Sequence, residues 1–308
     1  MKAIMYHYVR EFSQDLTYFR FLDIENFRSQ LDYFEREFGF VTLDEWKKFL
    51  NDGAMPSKKG KVLLTFDDAM SDHYKYVFPE LVSRGLWGIF YVPTQPYTNF
   101  TILNVHKIHL LCGVFNGSDI YKYLKSIILE DMIPFSKKQE FKEFTYTKQI
   151  NYKGVSEFKR VLNYFVDNRW QEKLIDMVAQ EFNFKFNVDD FYISTDNIKE
   201  MSNNGMMIGS HTVSHPVMSK LSRVDQETQI SDSFGYLSSI HNEIIRTFCH
   251  PYGGFHSFNE DTISLLNQYK VSFSFNVEDR EITSKDFLQS IQCLPRFDCN
   301  LFPFGKTS

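Results

Sequence analysis

The sequence predicts an α/β fold, and three observations carry that prediction. Short apolar runs rich in Val, Ile and Phe recur along the chain; amphipathic helical stretches separate them; and one long segment in the middle lacks the strand pattern altogether. The runs are AIMYHYV, KVLLTF, WGIFYV, MMIGS, RTFCHPYG, VSFSF and CLPRF. With 308 residues and 43 % hydrophobic composition, the chain is long enough to bury a substantial core.

Between the first two runs lies DIENFRSQLDYFEREFGF, where Phe27, Leu31, Phe34 and Phe38 recur at helical spacing and Asp23 is placed to cap the start. In the next stretch Thr42 and Glu45 have capping-box spacing and Gly53 supplies a stop. After WGIFYVPTQP the texture changes. Phe158, Val161, Leu162 and Phe165 form one apolar face, and Leu174, Met177, Val178 and Phe182 form another. Residues 1–98 and 197–308 are therefore expected to form the α/β domain, with 99–196 a helical insertion.

Bulk properties narrow the function. Net charge is −5 and the basic residues are scattered, so nucleic acid is not expected as a partner. Four cysteines lack zinc-knuckle spacing and read as free thiols. The opening MKAIMYHYVREF is too short an apolar stretch for a signal peptide and no run is long enough to cross a bilayer, so a cytoplasmic location is expected. The high aromatic content, 17 %, suits a sugar-binding groove but equally an ordinary core. Oligomeric state is not legible.

Three segments could carry chemistry. LLTFDDAMSD ends an apolar run with adjacent carboxylates, Asp67 and Asp68, which converge on one site only where the strand ends and the chain bends. In IGSHTVSHP, His211 and His215 lie four apart, on one side of either a helix or a strand; two exposed histidines would satisfy the same spacing. Two imidazoles and one carboxylate leave coordination positions open for water, as a hydrolytic metal requires. FCHPYGGF is a strand end followed by a turn whose glycines permit close backbone approach, with the Tyr252 amide available to a developing oxyanion.

In that order, TFDD, SHTVSH and HPYG resemble the polysaccharide deacetylases (the NodB-homology carbohydrate esterases) over residues 1 to about 96 and 197 to the C-terminus. The resemblance implies a deformed (β/α) barrel of about seven parallel strands carrying one divalent metal ion, zinc by expectation. It assigns Asp68, His211 and His215 as ligands, Asp67 as general base and the Tyr252 N–H as oxyanion donor. The implied reaction is deacetylation of an N-acetylated carbohydrate, with an O-acetyl esterase or a catalytically silent carbohydrate-binding protein as alternatives.

The pattern also departs from the family. The C-terminal strands lack the general-acid histidine found there in most members, whereas MYHYV at the start is similar to the first strand of the circularly permuted biofilm poly-N-acetylglucosamine deacetylases, which implies His7 as proton donor. A core histidine bonded to a backbone carbonyl is the bland reading of that residue. Ala69 stands where members usually have Gly, so a backbone angle reserved for Gly is not expected there unless strain is tolerated. Cys249 and His250 stand where many members have an Arg; the residue that orients Asp67 is then expected to be Arg296 of LPRFD, unless Arg296 simply pairs with Asp298 at the surface.

Overall fold

In the computed structural model, which describes residues 1–132, 154–241 and 245–307, all seven apolar runs contribute a strand. They are β1 (Lys2–Tyr6), β2 (Val62–Phe66), β3 (Ile89–Val92), β4 (Met207–Ser210), β5 (Thr247–Cys249), β6 (Phe273–Phe275) and β7 (Phe297–Asp298). Every pair in this sheet is parallel, in the order β6-β5-β4-β3-β2-β1-β7. Parallel strands are covered on both faces, and β2 and β3 are accordingly buried at every position.

The two edges of the sheet are linked through one segment. Leu294 exchanges backbone hydrogen bonds with Ser274 and Asn276 beside β6, Arg296 accepts from Glu278, and the chain then enters β7 alongside β1. The sheet thus curls into a deformed (β/α) barrel, and Arg296 lies on the segment that joins its edges.

Caps predicted from sequence are present. The Asp23 carboxylate accepts from the Glu25 N–H at the start of the helix Ile24–Glu37, which buries Phe27, Leu31 and Phe34. Thr42 and Glu45 form a reciprocal capping box on the helix Leu43–Asp52, which Gly53 ends at φ 75°. Against the first helix, Tyr6 stacks on Phe66 at 5.3 Å and Phe66 on Phe90 at 4.7 Å. Truncating a ring such as Phe66 to Ala would cost about 3–5 kcal/mol. Aromatic residues of this portion of the chain are therefore spent largely on the core.

The chain divides into two units. The first comprises Met1–Glu11, Phe21–Thr101 and Asp189–Ser308, and contains the barrel. The second comprises Phe12–Arg20 and Ile102–Val188; its core includes Ile108, Leu111, Leu124, Phe158, Leu162, Leu174 and Val178, so both apolar faces read from the sequence contribute to it. Residues 133–153 of the expected insertion lie outside the described residues. Residues 189–196, counted with the insertion in the sequence, sit in the first unit because Ser71 N–H donates to Phe191 and Ile193 N–H donates to Ala69. The segment Phe12–Arg20 joins the second unit, where Tyr18 N–H donates to the Gly113 carbonyl. No helix among the described residues is long and apolar enough to cross a membrane, and all four cysteines are free.

Candidate functional site

The site is assembled from strand ends. β2 finishes at Phe66, and Asp67 and Asp68 are the next two residues; β4 finishes at Ser210, one residue before His211; β5 finishes at Cys249, three before Tyr252. Parallel strands deliver their carboxyl ends to one edge of the barrel, and so these loops meet. The chain bends sharply to bring the side chains inward. Asp68, Ala69, Thr212, His215 and Tyr252 all take positive φ, between 52° and 79°. For residues with a Cβ such backbone is costly, and clusters of it mark positions over-determined by their surroundings. Ala69, at φ 52°, adopts the left-handed conformation that its Cβ was expected to forbid, so the strain is tolerated here.

Asp68, His211 and His215 are all buried and converge. The Asp68 Oδ1 atom lies 3.5 Å from His211 Nε2 and 3.6 Å from His215 Nε2, and the two imidazoles meet edge to face at 4.7 Å. His211 Nδ1–H donates to the Cys249 carbonyl at 2.9 Å, which fixes the tautomer and leaves the Nε2 lone pair facing the carboxylate. Burial lowers the His211 pKa against the opposing pull of Asp67 and Asp68, favouring the neutral ring. A lone pair opposite a carboxylate oxygen at this separation is a set of donors that fits a divalent cation. The His215 loop is held by Gln229, whose Oε1 accepts from the N–H groups of Val213 and Ser214, and by the Thr212 hydroxyl, which accepts from His215 N–H.

Asp67 faces a different partner. Arg296 donates from Nη1 to Oδ1 and from Nη2 to Oδ2, both at 2.8 Å, and all of this is buried. Arg296 is further held by the Thr65 hydroxyl at 3.0 Å and the Asn276 carbonyl at 3.3 Å, and pairing with Asp298 at the surface is not what it does. Burial alone would raise the Asp67 pKa; the charge and hydrogen bonds of Arg296, with smaller help from His211 and His7, bring it down to about 2. The two adjacent carboxylates therefore have separate environments, Asp68 toward imidazoles and Asp67 toward guanidinium.

His7 is the first residue beyond β1. Asp67 N–H donates to the Tyr6 carbonyl at 2.9 Å, so residues 7 and 67 leave neighbouring strands side by side. The ring is half-buried. Tyr252 stands over His215 with ring centroids 4.8 Å apart. Its turn requires Gly253, where a Cβ would come within 2.2 Å of Val277 Cγ2.

Residues 162–274 match the family model described as polysaccharide deacetylase, a range that contains His211, His215 and Tyr252. Over that range the chain is similar to the polysaccharide deacetylase family. This is a family of hydrolases that deacetylate carbohydrates. Asp67, Asp68 and Arg296 lie outside the matched range, and the fold brings them to it. Solved structures share that fold. A Streptococcus pyogenes deacetylase, PplD, in complex with acetate, is similar with a TM-score of 0.59 and 17 % identity, over 97 % of this chain and 91 % of that one. IcaB from Ammonifex degensii is similar at 0.53 and 17 %, over 96 % and 90 %. A de-N-acetylase from Aggregatibacter actinomycetemcomitans is similar at 0.51 and 13 %, over 96 % and 93 %. No curated protein matches the chain in sequence.

Against the usual pattern of polysaccharide deacetylases, two residues acquire a place that their sequence context did not announce. Cys249, standing where many members have Arg, is buried with its thiol 3.4 Å from Asp67 Oδ2 and its sulfur 2.9 Å from Arg296 Nη2. His73 is fully buried beside Phe66 and Phe90 and bonded to the His7 carbonyl. His250, by contrast, is a core histidine: its Nε2 lies 2.9 Å from the Gln292 carbonyl, its ring stacks on Phe258 at 3.9 Å, and burial lowers its pKa to about 4. Only the adjacency of Cys249 to the HPYG turn could have flagged that residue from sequence.

Proposed function

We propose that the chain is a divalent-metal-dependent hydrolase that removes the acetyl group from an N-acetylated sugar of an oligosaccharide, polysaccharide or glycan precursor. The observation that carries this reading is the convergence of Asp68, His211 and His215, with the Arg296-held carboxylate of Asp67 beside them. Asp68, His211 and His215 would hold the cation, zinc by the mixture of imidazole and carboxylate donors. Such an ion supplies Lewis acidity, which polarises a carbonyl and acidifies water.

The chain's own residues do the rest. Asp67, kept ionised and oriented by Arg296, accepts the proton of the attacking water. The Tyr252 N–H donates to the oxygen that becomes negative as the carbonyl carbon turns tetrahedral. An amide nitrogen leaves poorly as an anion, so His7 gives it a proton as the carbon–nitrogen bond breaks and the electron pair returns to nitrogen. The products are acetate and a free amine.

Acetate release by zinc-loaded protein from N-acetylglucosamine oligomers tests the reading, with O-acetylated sugars alongside. Release from the N-acetyl substrates, lost in Asp67→Asn, is the expected result. Release only from O-acetyl sugars would convert the assignment to an esterase; binding of the oligomers without release would make the protein a silent member.

A further inference from the structure

His73 is a histidine that the reaction above does not use, yet the fold spends a buried polar ring on it. It opens a widened helical turn, His73–Val77, in which the Phe78 N–H reaches back five residues to the His73 carbonyl. Such π turns interrupt regular helices and recur at functional positions. The ring is fully buried, 5.6 Å from Phe66 and 5.9 Å from Phe90.

What an imidazole does there is make one bond. His73 Nε2 lies 2.5 Å from the carbonyl oxygen of His7, sixty-six residues away in sequence. A carbonyl only accepts, so the proton is on Nε2, and Nδ1 has no hydrogen-bond partner among the described residues. Burial lowers the His73 pKa to about 4, against the raising effects of that bond and of Asp68, so the donor is a neutral ring. The bond falls at the peptide following His7, between the end of β1 and the short parallel pairing of Val9–Arg10 with Leu22–Asp23, where the Tyr8 carbonyl accepts from Leu22 N–H. On the other side, the Tyr6 carbonyl just before His7 is held by Asp67 N–H. His7 is thus pinned on both flanks, by the residue beside it in the site and by His73 from the core.

We propose that His73 is a positioning residue for deacetylation, holding the His7 backbone so that the His7 ring meets the departing nitrogen. This rests on the assignment of His7 as proton donor. It makes a distinction that a purely structural role would not: an amine must be protonated as it leaves, whereas an aryl oxide departs with its electron pair unaided. Loss of the His73 bond should therefore impair amide cleavage and spare cleavage of an activated ester.

The test uses the full chain, zinc-loaded, with N-acetylglucosamine oligomers and 4-nitrophenyl acetate as paired substrates, on His7→Ala, His73→Phe and His73→Gln. General-acid catalysis contributes about 10²–10⁴-fold, so His7→Ala should lose at least about 100-fold in kcat on the oligomers and at most about 3-fold on the ester. His73→Phe should lose about 10-fold or more on the oligomers, with KM and ester turnover nearly unchanged, and His73→Gln, which keeps an N–H donor, should recover most of it. If His73→Phe does not fold, His73→Met is read in the same way. Equal losses on both substrates, or none, while His7→Ala discriminates between them, would overturn the role of His73 and leave His7 standing. Failure of His7→Ala to discriminate would remove both. A metal-free readout is the histidine ¹⁵N spectrum, in which His73 should remain a neutral Nε2–H tautomer from pH 5.5 to 8; an Nδ1–H tautomer would contradict the bond.

Discussion

Arg296 grips both carboxylate oxygens of Asp67 across a sequence separation of 229 residues, at 2.8 Å on each arm. The planar guanidinium matches a carboxylate in two parallel bonds, a match that lysine cannot reproduce. Removing one partner of such a buried pair strands the other, at a cost of about 3–5 kcal/mol. In Arg296→Met the burial that raises the Asp67 pKa would act without its main opponent, so that pKa climbs from about 2. The acidic limb of a kcat/KM–pH profile should move to higher pH and stability should fall. A profile unchanged from the parent protein would show that Asp67 does not titrate in the rate.

The donor set is testable without turnover. A ligand that binds only the folded state adds RT ln(1 + [L]/Kd), about 4 kcal/mol at a thousandfold excess over Kd. Zinc should therefore raise the melting temperature of the parent protein markedly. Asp68→Asn and His215→Ala should abolish that rise, whereas Asp67→Asn should retain it while losing activity. Retention of the full shift in Asp68→Asn would place the ion elsewhere.

Two small residues with positive φ should answer substitution in opposite senses. Ala69→Gly relieves a left-handed Cβ, worth about 1–2 kcal/mol, offset by about 0.5–1 kcal/mol of added backbone entropy in the unfolded chain. Unfolding in urea should show the variant as stable as the parent or up to about 1.5 kcal/mol more so. Gly253→Ala combines φ 63° with a Cβ 2.2 Å from Val277 Cγ2, so it should lose at least about 1–3 kcal/mol. A marked loss in Ala69→Gly would mean that the Ala69 methyl contributes more by packing than its backbone costs.

The strands and caps were legible because their determinants are local: apolar runs of strand length, Thr42 three residues before Glu45, Asp23 ahead of a helical stripe. Asp67, Asp68, His211 and His215 were legible because each follows a strand closely, and parallel strands release their loops at a common edge. What was hidden depends on contacts distant in sequence. Arg296 sits two residues from Asp298, and nothing local separates that pairing from the one across the barrel; the bonds of Leu294 and Arg296 to the β6 edge settle it by turning the side chain inward. Cys249, His73 and Gln229 act through hydrogen bonds to groups far from them in sequence or on the backbone, which no local pattern announces. The strain at Ala69 was invisible because it is imposed by the inward turn of Asp68 and not by the preference of alanine.

Asp72 carries a pH dependence of its own. It is buried four residues beyond Asp68, and its only ion pair among the described residues is a loose one, Arg10 Nε at 3.6 Å. Burial raises its pKa to about 6, with Arg10 and Lys75 opposing that rise without cancelling it. In the unfolded chain an aspartate ionises near pH 4. Between about pH 4 and 6 the unfolded state has therefore released this proton while the folded state still holds it, so the contribution of Asp72 to stability declines as pH rises through that window. Above pH 6 the penalty is complete, of order 3 kcal/mol for a shift of about two units. Asp72→Asn removes the penalty, partly offset by the lost attraction to Arg10. Urea unfolding at pH 4 and pH 7.5 should show the variant gaining on the parent at the higher pH, and a difference equal at both values would mean that folding does not raise the Asp72 pKa.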